Sequence, residues 1–249
     1  MQDNKELQST YDMKKYDDIK EVMTLSEVAE YLQLSEKTIL RLCQRGGIPG
    51  AKIASQWRFM RTLIRDWLAG QMQTMASSEL ESLVSNEKTI LPLHEVLRSD
   101  LIVLKIVPGP KESILKQLVM PLRKTGFARD PSILLQSLIE RERMMTTAVG
   151  HGIAMPHPRR PIEGMFAEPA IVLGLCPKGT KFEAVDDRLV HLFFLICATR
   201  DEIHLQLMAK VSWLARHENI MSQLQQTSSE RQVIDIITKA TKKLDGPSN

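Results

Sequence analysis

Between Val22 and Gly70 the apolar positions fall into short runs of helical period broken by small polar residues. Thr24-Leu-Ser-Glu27 has the form of a capping box, in which a Thr hydroxyl caps the helix and Glu27 reaches back. The helix behind it carries Val28, Ala29 and Leu32 on one face. Ser35 is a good N-cap for a second helix, with Ile39, Leu40 and Cys43 inward and Lys37, Arg41, Gln44 and Arg45 outward. Gly46-Gly47 stops it. Two extended pieces, Ala51–Ala54 and Trp57–Phe59, are joined by Ser55-Gln56. Leu63, Ile64, Trp67 and Leu68 then form the apolar face of a third helix. Helix, tight turn, helix, hairpin, helix is the order of a winged helix-turn-helix.

Residues 71–91 have no clean period and read as a linker, with a short helix around Glu79–Val84. Beyond them the pattern alternates. Leu101–Val107 is a predicted strand. Pro110 opens a helix towards Lys124, which Pro121 should kink or end. Asp130-Pro131 caps and starts the next helix, whose end carries Arg141. Ala170–Leu175 and Val190–Ile196 are further strands, and Asp201 caps a helix holding His204 and Trp213. Ser229-Glu-Arg-Gln232 is a second capping box before a last amphipathic helix with Val233, Ile236 and Ile237. Such alternation predicts an α/β sandwich with a mixed sheet flanked by helices, preceded by the smaller winged domain. There is no internal repeat and no Gly-rich nucleotide loop.

Composition changes this picture little. At 249 residues there is room for one medium and one small domain. Cys43, Cys176 and Cys197 are scattered and odd in number, which argues for a reducing compartment and against a disulfide framework or zinc site. The polar start has no signal-peptide core, and the longest apolar run, Leu192–Ala198, is too short for a bilayer. The expectation is a cytoplasmic protein with no membrane partner. Charge is more informative. Val22–Gly70 holds seven Lys/Arg against four Asp/Glu, so the net +3 sits entirely there and the remainder balances at 26 against 26. A local excess of this kind suits a polyanion partner, although it is also common on solvated surfaces.

The stretch Met23–Leu42, then Gly46-Gly-Ile-Pro49 and Trp57-Arg58-Phe59, resembles the excisionase/MerR-type DNA-binding domain. The resemblance implies duplex DNA as partner. Independently of it, Lys37, Arg41, Gln44 and Arg45 on one helix face suit a major groove, and Lys52, Arg58 and Arg61 suit phosphates. A module that binds another protein is the alternative.

In the larger part, Gly150-His-Gly152-Ile-Ala-Met-Pro156-His157 holds the most suggestive residue. Gly150 and Gly152 free the backbone, Ile153–Met155 reads as a short strand, and Pro156 fixes the direction before an imidazole. That suits a histidine held at a surface by rigid backbone. A turn histidine without chemistry fits the same spacing. Leu138–His157, with Arg141-Glu142, Thr146-Thr147 and Gly-x-Gly-Ile-Ala-Met-Pro-His, closely resembles the phosphorylation-site signature of enzyme IIA domains. These are the fructose/mannitol and nitrogen-regulatory class of the sugar phosphotransferase system. Asp201-Glu-Ile-His204-Leu matches a second element of that family. The resemblance implies that His157 accepts a phosphoryl group, that His204 sits beside it, that Arg141 clamps phosphoryl oxygens, and that the Thr147 hydroxyl donates one more hydrogen bond. It implies a histidine phosphocarrier protein as partner and no cofactor. His94, His191 and His217 are isolated, and His151 does not converge with His157 on one metal. Two positions depart from the family, which usually has Gly or Asn at His151 and Gly or Ala at Pro158. Arg159 and Arg160 add charge there, for docking or for solvation.

The expected organisation is a flexible arm at 1–21, the winged domain at 22–70, a linker at 71–91, the IIA-like domain at 92–243 and a tail at 244–249. The favoured reading is a DNA-binding regulator phosphorylated on His157. The competing ones are a phosphocarrier feeding a downstream transport protein, and an interaction module read by a regulatory protein. A homodimer is compatible with the short site that such a winged helix reads.

Overall fold

The computed structural model describes residues 21–32, 34–74, 91–184 and 186–241. The arm, the helix expected near Glu79–Val84 and the tail lie outside these residues. Two compact units divide between Leu68 and Ala69.

The first unit starts with β1 (Val22–Met23) and α1 (Leu25–Tyr31). Thr24 and Glu27 form the complete capping box: the Thr24 N–H donates to Glu27 at 2.7 Å and the Glu27 N–H to the Thr24 hydroxyl at 3.3 Å. Ser35 caps α2 (Glu36–Gln44). Gly46 ends it in the left-handed region at φ +65°, and the Gly47 N–H donates back to the Leu42 carbonyl. β2 (Ala51–Ile53) and β3 (Gln56–Met60) make an antiparallel hairpin. Its turn is Ala54-Ser55, one residue earlier than expected, with both residues at positive φ, as a two-residue hairpin turn demands. β1 pairs with β3, giving the order β1-β3-β2, and α3 (Arg61–Thr74) follows directly. It therefore takes in the first four residues of the segment read as linker. Met23, Val28, Ile39, Phe59 and Ile64 form the core. Leu40 was expected inside but is 37% exposed. Ile39 and Cys43, four apart, fix the inner face, and Leu42 packs on it instead.

The second unit has a five-stranded mixed sheet. A short α4 (Leu93–Val96) leads into β4 (Leu97–Val103), which begins four residues before the strand read from the sequence. α5 (Lys111–Thr125) continues through Pro121 without ending. Burial of Ile114, Leu115, Leu118, Val119 and Leu122 outweighs the one backbone bond that the proline removes. Asp130 caps α6 (Pro131–Met144) by accepting from the Ser132 and Ile133 N–H groups. Then come β5 (Ala148–Gly150), β6 (Ile153–Ala154), β7 (Ala170–Thr180) and β8 (Val190–Cys197), and the sheet order is β4-β7-β8-β6-β5. β7 runs five residues past its expected end because an irregularity after Leu175 absorbs Pro177 and lets Thr180 regain the register with Val190.

α7 (Asp201–Ala215), α8 (Glu218–Gln225) and α9 (Glu230–Thr241) complete the unit. Asp201 is the first residue of α7 rather than its cap, a position held by Arg200. At α9, Gln232 returns its side chain to the Ser228 N–H rather than to that of Ser229. The main core packs α5 and α6 against the sheet through Leu118, Leu138, Val172 and Phe193. The fold is the α/β arrangement expected.

Candidate functional site

The position of His157 follows from strand order. β6 and β8 are parallel neighbours, so their carboxyl ends lie side by side. The chain leaving β6 enters Met155-Pro156-His157, and the chain leaving β8 enters α7. Met155 and Pro156 extend the sheet although they are no longer strand. The Met155 N–H donates to the Thr147 carbonyl and the Ile196 N–H to the Pro156 carbonyl, both at 2.9 Å. His157 emerges from a backbone held on both sides.

Its ring is tied as well. Nδ1 lies 2.8 Å from the Met155 carbonyl oxygen. A carbonyl only accepts, so Nδ1 carries the hydrogen and, in the neutral ring, Nε2 keeps its lone pair. His204 stands in the first turn of α7, where its N–H closes on the Arg200 carbonyl at 3.0 Å. The two imidazoles meet edge to face, with centroids 4.9 Å apart and planes at 62°. The partial positive charge of a helix N-terminus favours an anion near that pair.

His157 is 4% exposed and His204 2%, so the pair is enclosed rather than surface-held as expected. Arg141, at 4% exposure, donates from Nη1 to the Met145 carbonyl at 2.7 Å. That fixes it at the end of α6, on the segment that leads into Thr147. The Thr147 hydroxyl donates to Glu142 at 2.6 Å, so its single hydrogen is engaged inside the fold. The donor role expected of it towards a phosphoryl group is not presented in this arrangement. Its backbone carbonyl holds Met155 instead.

Spacing does not mark Glu142 as functional, although it forms part of the Arg141-Glu142 pair in the signature. Its carboxylate is 3% exposed and also contacts Lys111 Nζ at 2.8 Å. Lys111 makes a second ion pair, with Glu183 at 2.7 Å. Burial works against the Lys111 ammonium, but the two carboxylates outweigh it and raise its pKa above the ordinary lysine value. His151 adopts φ +53°, and its N–H donates to Asp186 at 2.8 Å. This backbone hydrogen bond is the main reason the Asp186 carboxyl is held below the usual range. Pro158 is buried, Arg159 half-buried and Arg160 exposed.

In the first unit Lys37, Arg41 and Gln44 are exposed on α2, Arg45 is exposed at its C-cap, and Lys52 is exposed on β2. Arg58 folds onto its own hairpin, donating to the Trp57 carbonyl and the Gln56 side chain. Arg61 lies over the Tyr31 ring at 5.0 Å. The α2 residues thus form one basic face, while the two arginines are drawn in against neighbours. Cys43, Cys176 and Cys197 are buried thiols, and burial pushes that of Cys197 furthest upward.

Residues 95–240 match the family profile described as phosphoenolpyruvate-dependent sugar phosphotransferase system, EIIA 2, and residues 22–72 match a helix-turn-helix domain. The PTS system fructose-specific EIIABC component of Bacillus subtilis is 32% identical over 154 residues, 61% of this chain. The chain spans only 24% of that relative's length. The PTS system fructose-specific EIIA component of Haloferax volcanii is 30% identical over 158 residues, 63% of this chain and 97% of its own. The crystal structure of nitrogen regulatory protein IIA-Ntr from Neisseria meningitidis superposes with a TM-score of 0.52 at 24% identity. The match covers 58% of this chain and 98% of that one, and it bears on fold alone. Profile, relative and fold agree on the same residues: the chain belongs to the EIIA 2 family of the phosphoenolpyruvate-dependent sugar phosphotransferase system and carries a helix-turn-helix domain ahead of it.

Proposed function

We propose that this chain is a cytoplasmic regulator that binds DNA through its first unit and is phosphorylated on His157 by the phosphotransferase system. The observation that carries the reading is the imidazole pair. His157 has its Nδ1 hydrogen committed to Met155 and its ring against His204 in the first turn of α7. In the transfer, the N–P bond of a phosphohistidine donor breaks while a bond forms between phosphorus and His157 Nε2. Positioning and charge stabilisation do most of the catalytic work in such a step. His204, with the helix N-terminus, and Arg141 stabilise the equatorial oxygens. A histidine phosphocarrier protein is the donor.

The first unit supports the DNA half through the exposed row Lys37, Arg41, Gln44 and Arg45 on the second helix of a helix-turn-helix. Residues 22–70 serve as the DNA domain and 92–243 as the phosphoacceptor domain. A second reading is favoured by the fructose-specific relatives. In it the chain passes its phosphoryl group to a downstream sugar-transport protein.

The test is incubation with phosphoenolpyruvate, enzyme I and the phosphocarrier protein, followed by mapping of the modified residue. One acid-labile group on His157 is expected, and none on His157→Ala. A group mapped to His204 or His151 would overturn the assignment. Electrophoretic shift on genomic DNA separates the regulator from the carrier, which has no need of DNA.

A further inference from the structure

Resting on the phosphoacceptor reading, we infer that Glu142 is a positioning residue that sets the tautomer of His157 through three hydrogen-bond links joined by the Thr147 and Met155 backbone. The line starts at a carboxylate that is 3% exposed. Glu142 accepts from the Thr147 backbone N–H at 3.1 Å and from its hydroxyl at 2.6 Å. The Thr147 carbonyl accepts from the Met155 N–H at 2.9 Å. The Met155 carbonyl then accepts from His157 Nδ1 at 2.8 Å. Each link crosses from one piece of chain to the next: the end of α6, the approach to β5, the segment after β6, the ring. Lys111 at the start of α5 contacts the same carboxylate, and Glu183 ties that lysine on its far side.

The chemistry of each link gives the line a direction. A carboxylate accepts only, so Thr147 has to donate both its hydrogens to it. This double hold fixes the Thr146–Thr147 peptide and the Thr147 side chain on either side of the Thr147 Cα, and so narrows the ψ rotation that aims the Thr147 carbonyl. Met155, held through its N–H, in turn presents the carbonyl of the next peptide to the ring. A carbonyl selects the Nδ1–H form, which keeps the lone pair on Nε2. A buried carboxylate with three donors therefore governs, three hydrogen-bond links away, which nitrogen is nucleophilic. Arg141, the neighbouring residue, is held to Met145 on the same segment, so one turn of α6 governs both the clamp and the ring.

The full-length chain tests this with Glu142→Ala, Glu142→Gln and Thr147→Val. Two readouts are taken: the ring-nitrogen NMR spectrum of unphosphorylated His157, and the rate of its phosphorylation. Glu142→Ala should move His157 away from a pure Nδ1–H tautomer. It should slow transfer by roughly 10- to 100-fold, as misplacement of a reacting group by about 1 Å does, with KM for the donor protein unchanged. Glu142→Gln keeps one accepting oxygen and should restore most of both. A Glu142→Ala protein with a wild-type His157 spectrum overturns the inference, whatever its rate. Should Glu142→Ala fail to fold, Thr147→Val decides: a shifted tautomer supports the line and an unshifted one sinks it. If the wild type accepts no phosphoryl group at all, the phosphoacceptor reading falls, and the spectra alone still decide the role of Glu142.

Discussion

His151 occupies a backbone position that most side chains avoid. Its φ of +53° lies in the left-handed region, between Gly150 at +86° and Gly152 at +74°. The N–H bond to Asp186 holds it there. Left-handed backbone costs an L-residue roughly 1–2 kcal/mol, and histidine bears it better than branched residues. The side chain is exposed, so little packing is lost by removing it. His151→Gly should therefore stabilise the unit by about 1 kcal/mol, read as a raised denaturant midpoint. An unchanged or lowered midpoint would mean that the imidazole makes up for its own strain. Arg141 is the opposite case, a buried charge with a backbone partner. If it clamps phosphoryl oxygens, Arg141→Ala should raise the transfer barrier by about 2–4 kcal/mol, the scale of one preorganised donor. A wild-type rate would remove that role.

At the scale of elements, closeness between α5 and β7 depends on one missing methyl. A Cβ on Gly174 would come within 2.6 Å of the Leu118 Cδ2 and 3.1 Å of the Ile106 Cγ1. Gly174→Ala should destabilise the second unit by about 1–3 kcal/mol through overpacking, measured by thermal melting. No loss would show that the helix can slide. Much of this architecture was legible in the sequence, because capping residues and apolar period act locally. Thr24, Ser35 and Asp130 cap as their types dictate. What was not legible depends on partners distant in sequence. Pro121 reads as a helix breaker, yet tertiary burial carries α5 across it. The local pattern ends β7 at Leu175, yet β8 pairs with it again at Thr180. The motif indicates His157 and His204. It does not indicate that Lys111 and Glu183, 72 residues apart, hold the Glu142 carboxylate in place. Nor does spacing reveal that His157 is enclosed, since burial depends on what packs over it.

On the proposed function, the whole molecule joins a basic helix that would read DNA to a domain that would gain negative charge. The first unit should bind duplex DNA with steep salt dependence, and Arg58→Ala should lower the log–log salt slope by about 1 if it reaches a phosphate. Arg58 must first let go of Gln56, so an unchanged slope would mean that it serves the hairpin instead. Phosphorylation would add roughly −1.5 to −2 charge, by analogy with other phosphorylated side chains. If that charge is sensed by the first unit, or alters pairing of two chains, DNA affinity should change about five- to 150-fold, the usual range of allosteric coupling. Binding of phosphorylated and unphosphorylated protein at one fixed salt checks it. Equal affinities and an unchanged oligomeric state would leave the two units as tethered neighbours.

The bond from His157 Nδ1 to the Met155 carbonyl would also set the proton inventory of the proposed transfer. The hydrogen on Nδ1 is already where the phosphorylated ring requires it. For His157 as acceptor, a phosphoryl group then moves from one nitrogen to another and back without any proton passing to water. If His157 takes up and returns phosphoryl groups in this way, its state would follow the phosphorylation level of its donor pool, rather than record a single irreversible event.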